Sequence, residues 1–88
     1  MDADTRADVL KRLNYIDGHL QGVRKMIEED QYCVDVMKQA FAVRRAIEKM
    51  ETKMLDGHLH HCVADAVRGG ETEQVFGELV ELYRLANK

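Results

Sequence analysis

Two cysteines and one histidine are the residues whose types and spacing point most directly to chemistry in this chain. His58 and Cys62 are four residues apart, so on a helix their side chains lie one turn apart on one face. An imidazole nitrogen and a thiolate arranged in this way can bind the same soft metal ion. The pattern therefore predicts two ligands of a metal site within a single helical turn.

Cys33 is the third candidate ligand, and it precedes His58 by 25 residues. Along a straight helix this separation is about 37 Å, so Cys33 cannot reach His58 and Cys62 within its own helix. A second copy of the chain, running antiparallel to the first, would bring its own Cys33 next to these two residues. The spacing therefore predicts a metal site shared between two subunits.

These three residues also have simpler interpretations. Both cysteines can be small core residues and His58 a surface histidine, because His-x-x-x-Cys is a short and common pattern. If the three do bind a metal, two sulfurs and one nitrogen suit low-coordinate Cu(I) better than structural Zn(II), which normally takes four ligands. His60 and His61 are close in sequence, but on a helix they point to other faces.

Basic residues form a second pattern. Arg45, Lys49 and Lys53 recur every four residues and therefore share one helix face. Such a stripe is usually a solvated face, although its repetition in an oligomer would create a surface for phosphate groups. The net charge is −3, and the chain has no helix-turn-helix or zinc-finger pattern, so the stripe alone leaves DNA binding open.

Several other classes of protein are disfavoured. Cys33 and His58 lie too far apart within one chain to act as nucleophile and base, and no glycine-rich phosphate loop or oxyanion motif accompanies them, so we do not expect an enzyme. No apolar run approaches the roughly 20 residues that span a bilayer, and the N-terminus lacks the features of a signal peptide. We therefore expect a cytoplasmic protein whose two thiols are free or bind a metal.

The elements that carry these residues are expected to be helices. Apolar residues recur at spacings of three and four, and the chain has no proline, which predicts an all-α fold. Three helices are expected, over residues 5–29 with Asp2 or Asp4 able to cap the first, over residues 30–67 with Asp30 as N-cap and Cys33 at the third position, and over residues 71–85 after a turn at Gly69-Gly70. No linker or repeat is visible, so residues 1–88 form one domain.

The second of these helices is longer than a usual globular helix, which favours a partner along its length. Antiparallel pairing with another copy gives a dimer with a four-helix-bundle core. This is also the arrangement that the three metal-binding residues require.

Several segments resemble the CsoR/RcnR family of bacterial metal-sensing transcriptional repressors, over about residues 12–81. They include Gly18-His19-Leu20-x-Gly22, and the specific match is Tyr32-Cys33-Val34-Asp35-Val36 together with His58-Leu59-x-x-Cys62-Val63 at a separation of 25 residues. Copper sensors of the family have Cys, His and Cys at the three candidate ligand positions. The nickel/cobalt branch has a further N-terminal histidine and a histidine in place of Cys62, and residues 2–8 contain no histidine. The resemblance therefore implies Cu(I) as the inducer.

The resemblance also implies how the bound histidine is connected to the rest of the protein. Tyr32 and Glu78 match the positions of a tyrosine and a glutamate that link it to neighbouring elements in copper sensors. The physical basis is that a metal-bound imidazole donates its other N–H to an oxygen partner, which fixes the ring and couples the site to that partner.

Finally, the resemblance implies an all-helical homotetramer, a dimer of dimers, that binds operator DNA when metal-free and releases it on Cu(I) binding. Arg12 and Lys49 match basic positions that the family uses for DNA, and the stripe adds Arg45 and Lys53. Two alternatives stay open: a thiol- or persulfide-responsive repressor of the same family that uses its two cysteines, and a metal-buffering protein without a DNA role.

Overall fold

The structure, a computed structural model, describes all 88 residues. Helix α1 spans Ala3–Glu28, α2 spans Cys33–Gly57, a π-helical turn spans His58–Val63, α3 spans Ala64–Arg68, and α4 spans Thr72–Ala86. Backbone angles stay helical from α2 through the π-helical turn into α3, so these segments form one continuous helix, which we call the long helix. The predicted all-α fold of three helices, without strands, is confirmed.

Helix α1 begins earlier than its apolar pattern predicts because Asp2 caps it. The Asp2 carboxylate accepts a hydrogen bond from the backbone N–H of Thr5 at 3.0 Å. This is the contact by which an aspartate satisfies one of the free N–H groups at a helix start. Asp2 is therefore the N-cap, and Ala3 is the first residue of α1.

The end of α1 corrects one expectation. Asp30, the predicted cap of the second helix, has a φ of 54° and ends α1 instead. The N–H groups of Asp30 and Gln31 bond back to the carbonyls of Ile27 and Met26, which is a Schellman ending. Aspartate tolerates this left-handed conformation better than most residues. Tyr32 then becomes the N-cap, and Cys33 is the first residue of α2 rather than its third.

The long helix departs from the uninterrupted α-helix that the sequence predicts. Immediately after Gly57 the backbone forms a π-helical turn, with bonds from residue i to i+5, before it returns to α geometry at Ala64. Such turns are rare in proteins, and those that occur often lie at functional sites. The helix ends at Gly69-Gly70 as predicted, with Gly70 at a φ of 84°.

The three helices form a thin layer with little interior. α1 packs along α2, whereas α4 contacts the rest of the chain mainly through α3. The principal extents are 56 × 29 × 13 Å, so the layer is about one helix thick in its shortest direction. Only six residues are buried, namely Val9, Ile16, Val43, Gly57, Val63 and Val75. No helix combines the length and the apolar character that a membrane crossing requires.

Candidate functional site

The π-helical turn carries two of the three candidate metal ligands. His58 is its first residue and is half-buried, while Cys62 is its fifth and is exposed with a free thiol. Both therefore belong to one π-helical segment, whereas the sequence pattern predicts an ordinary α-helical turn. The turn carries an imidazole and an accessible thiol four residues apart, and these donor types suit a soft metal ion.

Cys33 lies at the opposite end of α2 from this turn. It is exposed, and its thiol is free. Within one chain, no group of three His, Cys, Asp or Glu side chains comes close enough to hold a metal ion. The donor set of two accessible thiols and one imidazole fits Cu(I) chemically, but a single chain does not assemble it.

The other two histidines of this turn have neighbours of their own, a hydrogen-bond partner for His60 and a nearby carboxylate for His61. The Nδ1 atom of His60 lies 2.9 Å from the backbone oxygen of Asp56, to which it donates, and 3.3 Å from the carboxylate of the same residue. The Nε2 atom of His61 lies 3.7 Å from Oδ1 of Asp2. These partners agree with the expectation that His60 and His61 point away from the face shared by His58 and Cys62.

The surroundings of Asp2 lower the pKa of its carboxyl group. Hydrogen bonding from the Thr5 side chain, and then from the Thr5 backbone N–H, lowers the pKa of Asp2 below its ordinary value of 3.8. The nearby His61 acts in the same direction and burial acts against it. The carboxylate is thus stabilised in its charged form, in which it caps α1 and faces the π-helical turn.

Tyr32 and Glu78 are not brought to His58 within one chain. Tyr32 is the N-cap of α2 with a side chain that is 68% exposed, and it lies at the far end of that helix from His58. Glu78 is exposed on α4. Neither side chain forms a hydrogen bond or an ion pair with His58 in the single chain, so the predicted link requires another subunit.

The four candidate DNA-binding residues lie together. Two adjoining concave surfaces, of about 590 and 450 Å³, both include Arg12 from α1 with Arg45 and Lys49 from α2, and the smaller one also includes Lys53. We call this surface, defined by Arg12, Arg45, Lys49 and Lys53, the basic groove. The stripe on α2 is visible in the sequence, but its pairing with Arg12 follows only from the packing of α1 on α2.

The charge of the basic groove is opposite to that of the whole chain. Its walls carry five positive side chains, the four above and Lys11, and two negative ones, Asp8 and Glu48. The chain as a whole has a net charge of −3. A local excess of positive charge on such a chain concentrates the attraction for phosphate groups on one face.

Further contacts shape the groove. Nε of Arg12 bonds to the Asp8 carboxylate at 3.2 Å, one turn earlier on α1. At one end, Tyr15 and His19 line the wall with their rings edge to face, and Nε2 of His19 lies 2.8 Å from the side-chain oxygen of Gln39 on α2. Tyr15 and His19 are not among the residues predicted for this surface. Their spacing from Arg12 nevertheless places them on the same face of α1.

Comparison with known sequences identifies close relatives. The sequence model of the family described as metal-sensitive transcriptional repressor matches residues 5–84. The chain is 39% identical over 80 residues to the copper-sensing transcriptional repressor CsoR of Bacillus subtilis, which covers 91% of this chain and 79% of that protein. It is 41% identical over 78 residues to CsoR of Mycobacterium ulcerans, covering 89% of this chain and 67% of that one.

Comparison with solved structures agrees. The copper-sensing repressor CsoR with Cu(I) from Geobacillus thermodenitrificans superposes with a TM-score of 0.93 at 34% identity, over 100% of this chain and 92% of that one. The nickel-responsive transcriptional regulator InrS gives a TM-score of 0.76 at 37% identity, over 89% of each chain.

These matches confirm the resemblance seen in the sequence. The relatives are transcriptional repressors and regulators, a role without catalysis, which agrees with the expectation that this chain is not an enzyme. The family match extends over nearly the whole chain, and the identities exceed one third over most of its length. The chain belongs to the family of metal-sensitive transcriptional repressors.

Proposed function

We propose that this protein is a copper(I)-responsive repressor that binds operator DNA when metal-free and releases it when Cu(I) is bound. The ligands are Cys33 of one subunit with His58 and Cys62 of another. The observation that carries the proposal is the complete Cys, His and Cys set in a chain similar to copper-sensing repressors over 91% of its length. Soft thiolate ligands select Cu(I) over harder divalent ions.

The DNA-binding surface in this proposal is the basic groove. Arg12, Arg45, Lys49 and Lys53 lie on one face and supply contacts to phosphates. The assembly is a dimer of dimers, which repeats the groove and so multiplies the contacts available to one duplex. Because each contact releases counterions, operator affinity should fall steeply as salt is raised.

The link between metal and DNA is a change in the contacts of His58. When its ring binds metal through one nitrogen, the other N–H is available to donate to an oxygen, for which Tyr32 and Glu78 are the candidates. Reorganising these contacts shifts the assembly to a form with lower DNA affinity. By reciprocity, DNA weakens copper binding by the same factor, typically about 5- to 150-fold in such systems.

The test is a titration of operator DNA with the anaerobic, reduced protein, without metal and with Cu(I), Ni(II) or Zn(II). Genomic fragments near the encoding gene supply the candidate operators. Binding at physiological salt that is weakened by Cu(I) and unaffected by the other two ions supports the proposal. Operator affinity that is equal with and without Cu(I) rejects copper as the signal, and release by Ni(II) alone would assign a nickel response instead.

A second candidate uses the same thiols as the sensor. Cys33 and Cys62 are both free and exposed, so a persulfide or another oxidant can reach them. Oxidation of the two thiols of neighbouring subunits would join them through a disulfide or polysulfide bridge, with the oxidant taking the two electrons. Mass spectrometry after persulfide treatment, together with the same DNA titration, separates this response from that to Cu(I).

A third candidate is a cytoplasmic metal buffer without a DNA role. The exposed thiols suit it as well as they suit a sensor, but the basic groove would then have no purpose. The same genomic fragments decide the matter. A buffer would bind all of them equally weakly at physiological salt, whereas a repressor prefers its operator.

A further inference from the structure

A close contact joins the start of α1 to the long helix directly before His58. Gly57 is buried against the side chain of Thr5, and a Cβ atom on Gly57 would lie 2.6 Å from the Cγ2 atom of Thr5. That separation is far inside van der Waals contact, so only glycine permits this approach. Gly18, Gly22 and Gly77 have no such neighbour within 4 Å.

A second contact joins the start of α1 to the same turn, at a residue that follows His58 in the sequence. Asp2 uses one carboxylate oxygen to cap α1 through the N–H of Thr5. Its other oxygen, Oδ1, is buried without a hydrogen bond and faces Nε2 of His61 at 3.7 Å. His61 is the residue directly before Cys62 in the chain.

These two contacts bracket the ligand-bearing turn. One acts at the residue before His58, and the other acts at the residue before Cys62. Both come from the first turn of α1, and the same helix carries Arg12 about 10 Å further along, two turns beyond Thr5. The contacts at Asp2 and Thr5 therefore lie on the same helix as Arg12, and a helix bends little over two turns.

We propose that Asp2 and Thr5, together with Gly57, form a positioning clasp that holds the π-helical turn and joins it to the helix that carries Arg12. The positioning part stands on the contacts alone. The regulatory part, transmission of metal binding to the DNA surface, rests on the proposed function. The clasp residues bind neither metal nor DNA, and they act through the ligands that they hold.

The positioning part is tested in the full-length, metal-free protein by hydrogen exchange of the backbone amides in residues 58–63. Gly57→Ala should speed their exchange about tenfold, since overpacking at a close contact destabilises it. The sign is informative, because alanine by itself favours a helix over glycine and would slow exchange if the contact were unimportant. Thr5→Ala removes the crowding Oγ1 and Cγ2 atoms of Thr5 and leaves only its Cβ, so it should partly restore protection to the Gly57→Ala protein.

Two further variants complete the design. Gly77→Ala makes the same substitution in α4, where nothing lies within 4 Å, and should leave exchange in residues 58–63 unchanged. Asp2→Asn retains a capping side chain but removes the charge that faces His61, so it tests the second contact without crowding the helices. It should speed exchange in the same residues. Unchanged or slower exchange in both Gly57→Ala and Asp2→Asn would overturn the clasp.

The regulatory part is tested by repeating the operator titration with and without Cu(I). Gly57→Ala should still load Cu(I), measured by competition with a colorimetric chelator, while the effect of Cu(I) on operator affinity falls about tenfold relative to wild type and to Gly77→Ala. Undiminished coupling in Gly57→Ala overturns this role. If wild type itself shows no response to Cu(I), the copper proposal fails, whereas the exchange result still decides whether the clasp exists.

Discussion

We expect His58 to contribute more to the copper-dependent release of DNA than to the affinity for Cu(I). In the proposed site the two thiolates are the soft donors that favour Cu(I), and both cysteines are free and exposed in this structure. The imidazole adds a ligand whose second ring nitrogen can report occupancy to a neighbouring oxygen, which a thiolate cannot do. Affinity should therefore depend mainly on the cysteines, and coupling should depend mainly on the histidine.

We expect His58→Ala to retain Cu(I) loading through the thiolates and to lose most of the copper-dependent release of DNA. A residual coupling of less than about threefold, against a typical range of about 5- to 150-fold, is the expected size. Chelator competition measures loading, and fluorescence anisotropy of a labelled operator measures coupling. His60→Ala is the matched control, since its ring is bonded to Asp56. Full coupling in His58→Ala would reject the relay.

Arg12 is the residue whose contribution to DNA binding is most specifically predicted. It is the arginine of the basic groove that comes from α1, and its guanidinium is oriented by Asp8. Arg12→Ala should weaken metal-free operator binding. It should also lower the slope of log affinity against log salt by about one for each phosphate group that Arg12 neutralises.

A well-matched control for Arg12 exists in α3. Arg68 is paired with Asp65 at 3.1 Å, much as Arg12 is paired with Asp8, but it does not line the groove. Arg68→Ala should leave both the affinity and the salt slope unchanged. Equally weakened binding in the two variants would mean that operator binding responds to total charge rather than to the groove.

At the scale of elements, the cap of α1 gives a prediction for pH. Hydrogen bonding from Thr5 lowers the pKa of Asp2 below 3.8, so the folded state favours the charged carboxylate. The cap therefore stabilises the fold fully at pH values well above 3.8, and this contribution is lost as the pH falls through the lowered pKa. The difference in thermal midpoint between wild type and Asp2→Ala should be constant near neutrality and should shrink in acid.

The control for this titration is Asp2→Asn. Asparagine caps a helix about as well as aspartate but has no carboxyl group to protonate. The difference in midpoint between Asp2→Asn and Asp2→Ala should therefore not depend on pH. A wild-type advantage that persists unchanged however far the pH is lowered would show that the carboxylate does not carry the cap.

The helices are largely predictable from the sequence, but the left-handed ending of α1 and the π-helical turn are harder to predict from it. Apolar spacing and the glycine pair at 69–70 locate the long helix and its end, because burial of one face imposes the period. The prediction for Asp30 is wrong because aspartate suits both a helix start and a left-handed ending, and only the backbone bonds to Ile27 and Met26 distinguish them.

The spacing of apolar residues gives a weak sequence signal for the π-helical turn. Leu55, Leu59, Val63 and Val67 follow one another at uniform spacings of four, which is longer than the α-helical period of about 3.6. Repeated fours drift around an ideal helix, and a wider turn absorbs part of that drift. A strict run of fours next to ligand residues is therefore a signal that sequence analysis can use.

At the scale of the whole molecule, the single chain leaves most of its large apolar side chains uncovered. Met37 and Phe41 on α2 and Phe76 and Val80 on α4 are each more than 40% exposed, while only six residues of 88 are buried. A chain of this size with so small a core is marginal alone, and association with further copies is the usual remedy. The candidate ligands also need a second copy in order to meet, because one chain separates Cys33 from His58 and Cys62 by the length of α2.

A site shared between two subunits can be tested by mixing two variants, which no single variant can do. A Cys33→Ala protein and a His58→Ala/Cys62→Ser protein each lack an essential part of the proposed site, so each alone should hold Cu(I) weakly against a chelator. If the ligands come from two subunits, a mixed dimer contains one complete site and one empty site. Subunit exchange in an equal mixture should then restore tight binding to about one quarter of all sites, because half of the dimers are mixed and each has two positions.

The measurement is Cu(I) retained against a competing chelator before and after the two proteins exchange subunits, through brief denaturation and refolding or co-expression. Each variant treated alone in the same way is the control. Recovery near one quarter would establish that neighbouring subunits share the site, because no chain in the mixture carries all three ligands. Retention no higher than the average of the two separate variants would mean that pairing the two chains completes no site, and the antiparallel arrangement proposed for Cys33 would have to be abandoned.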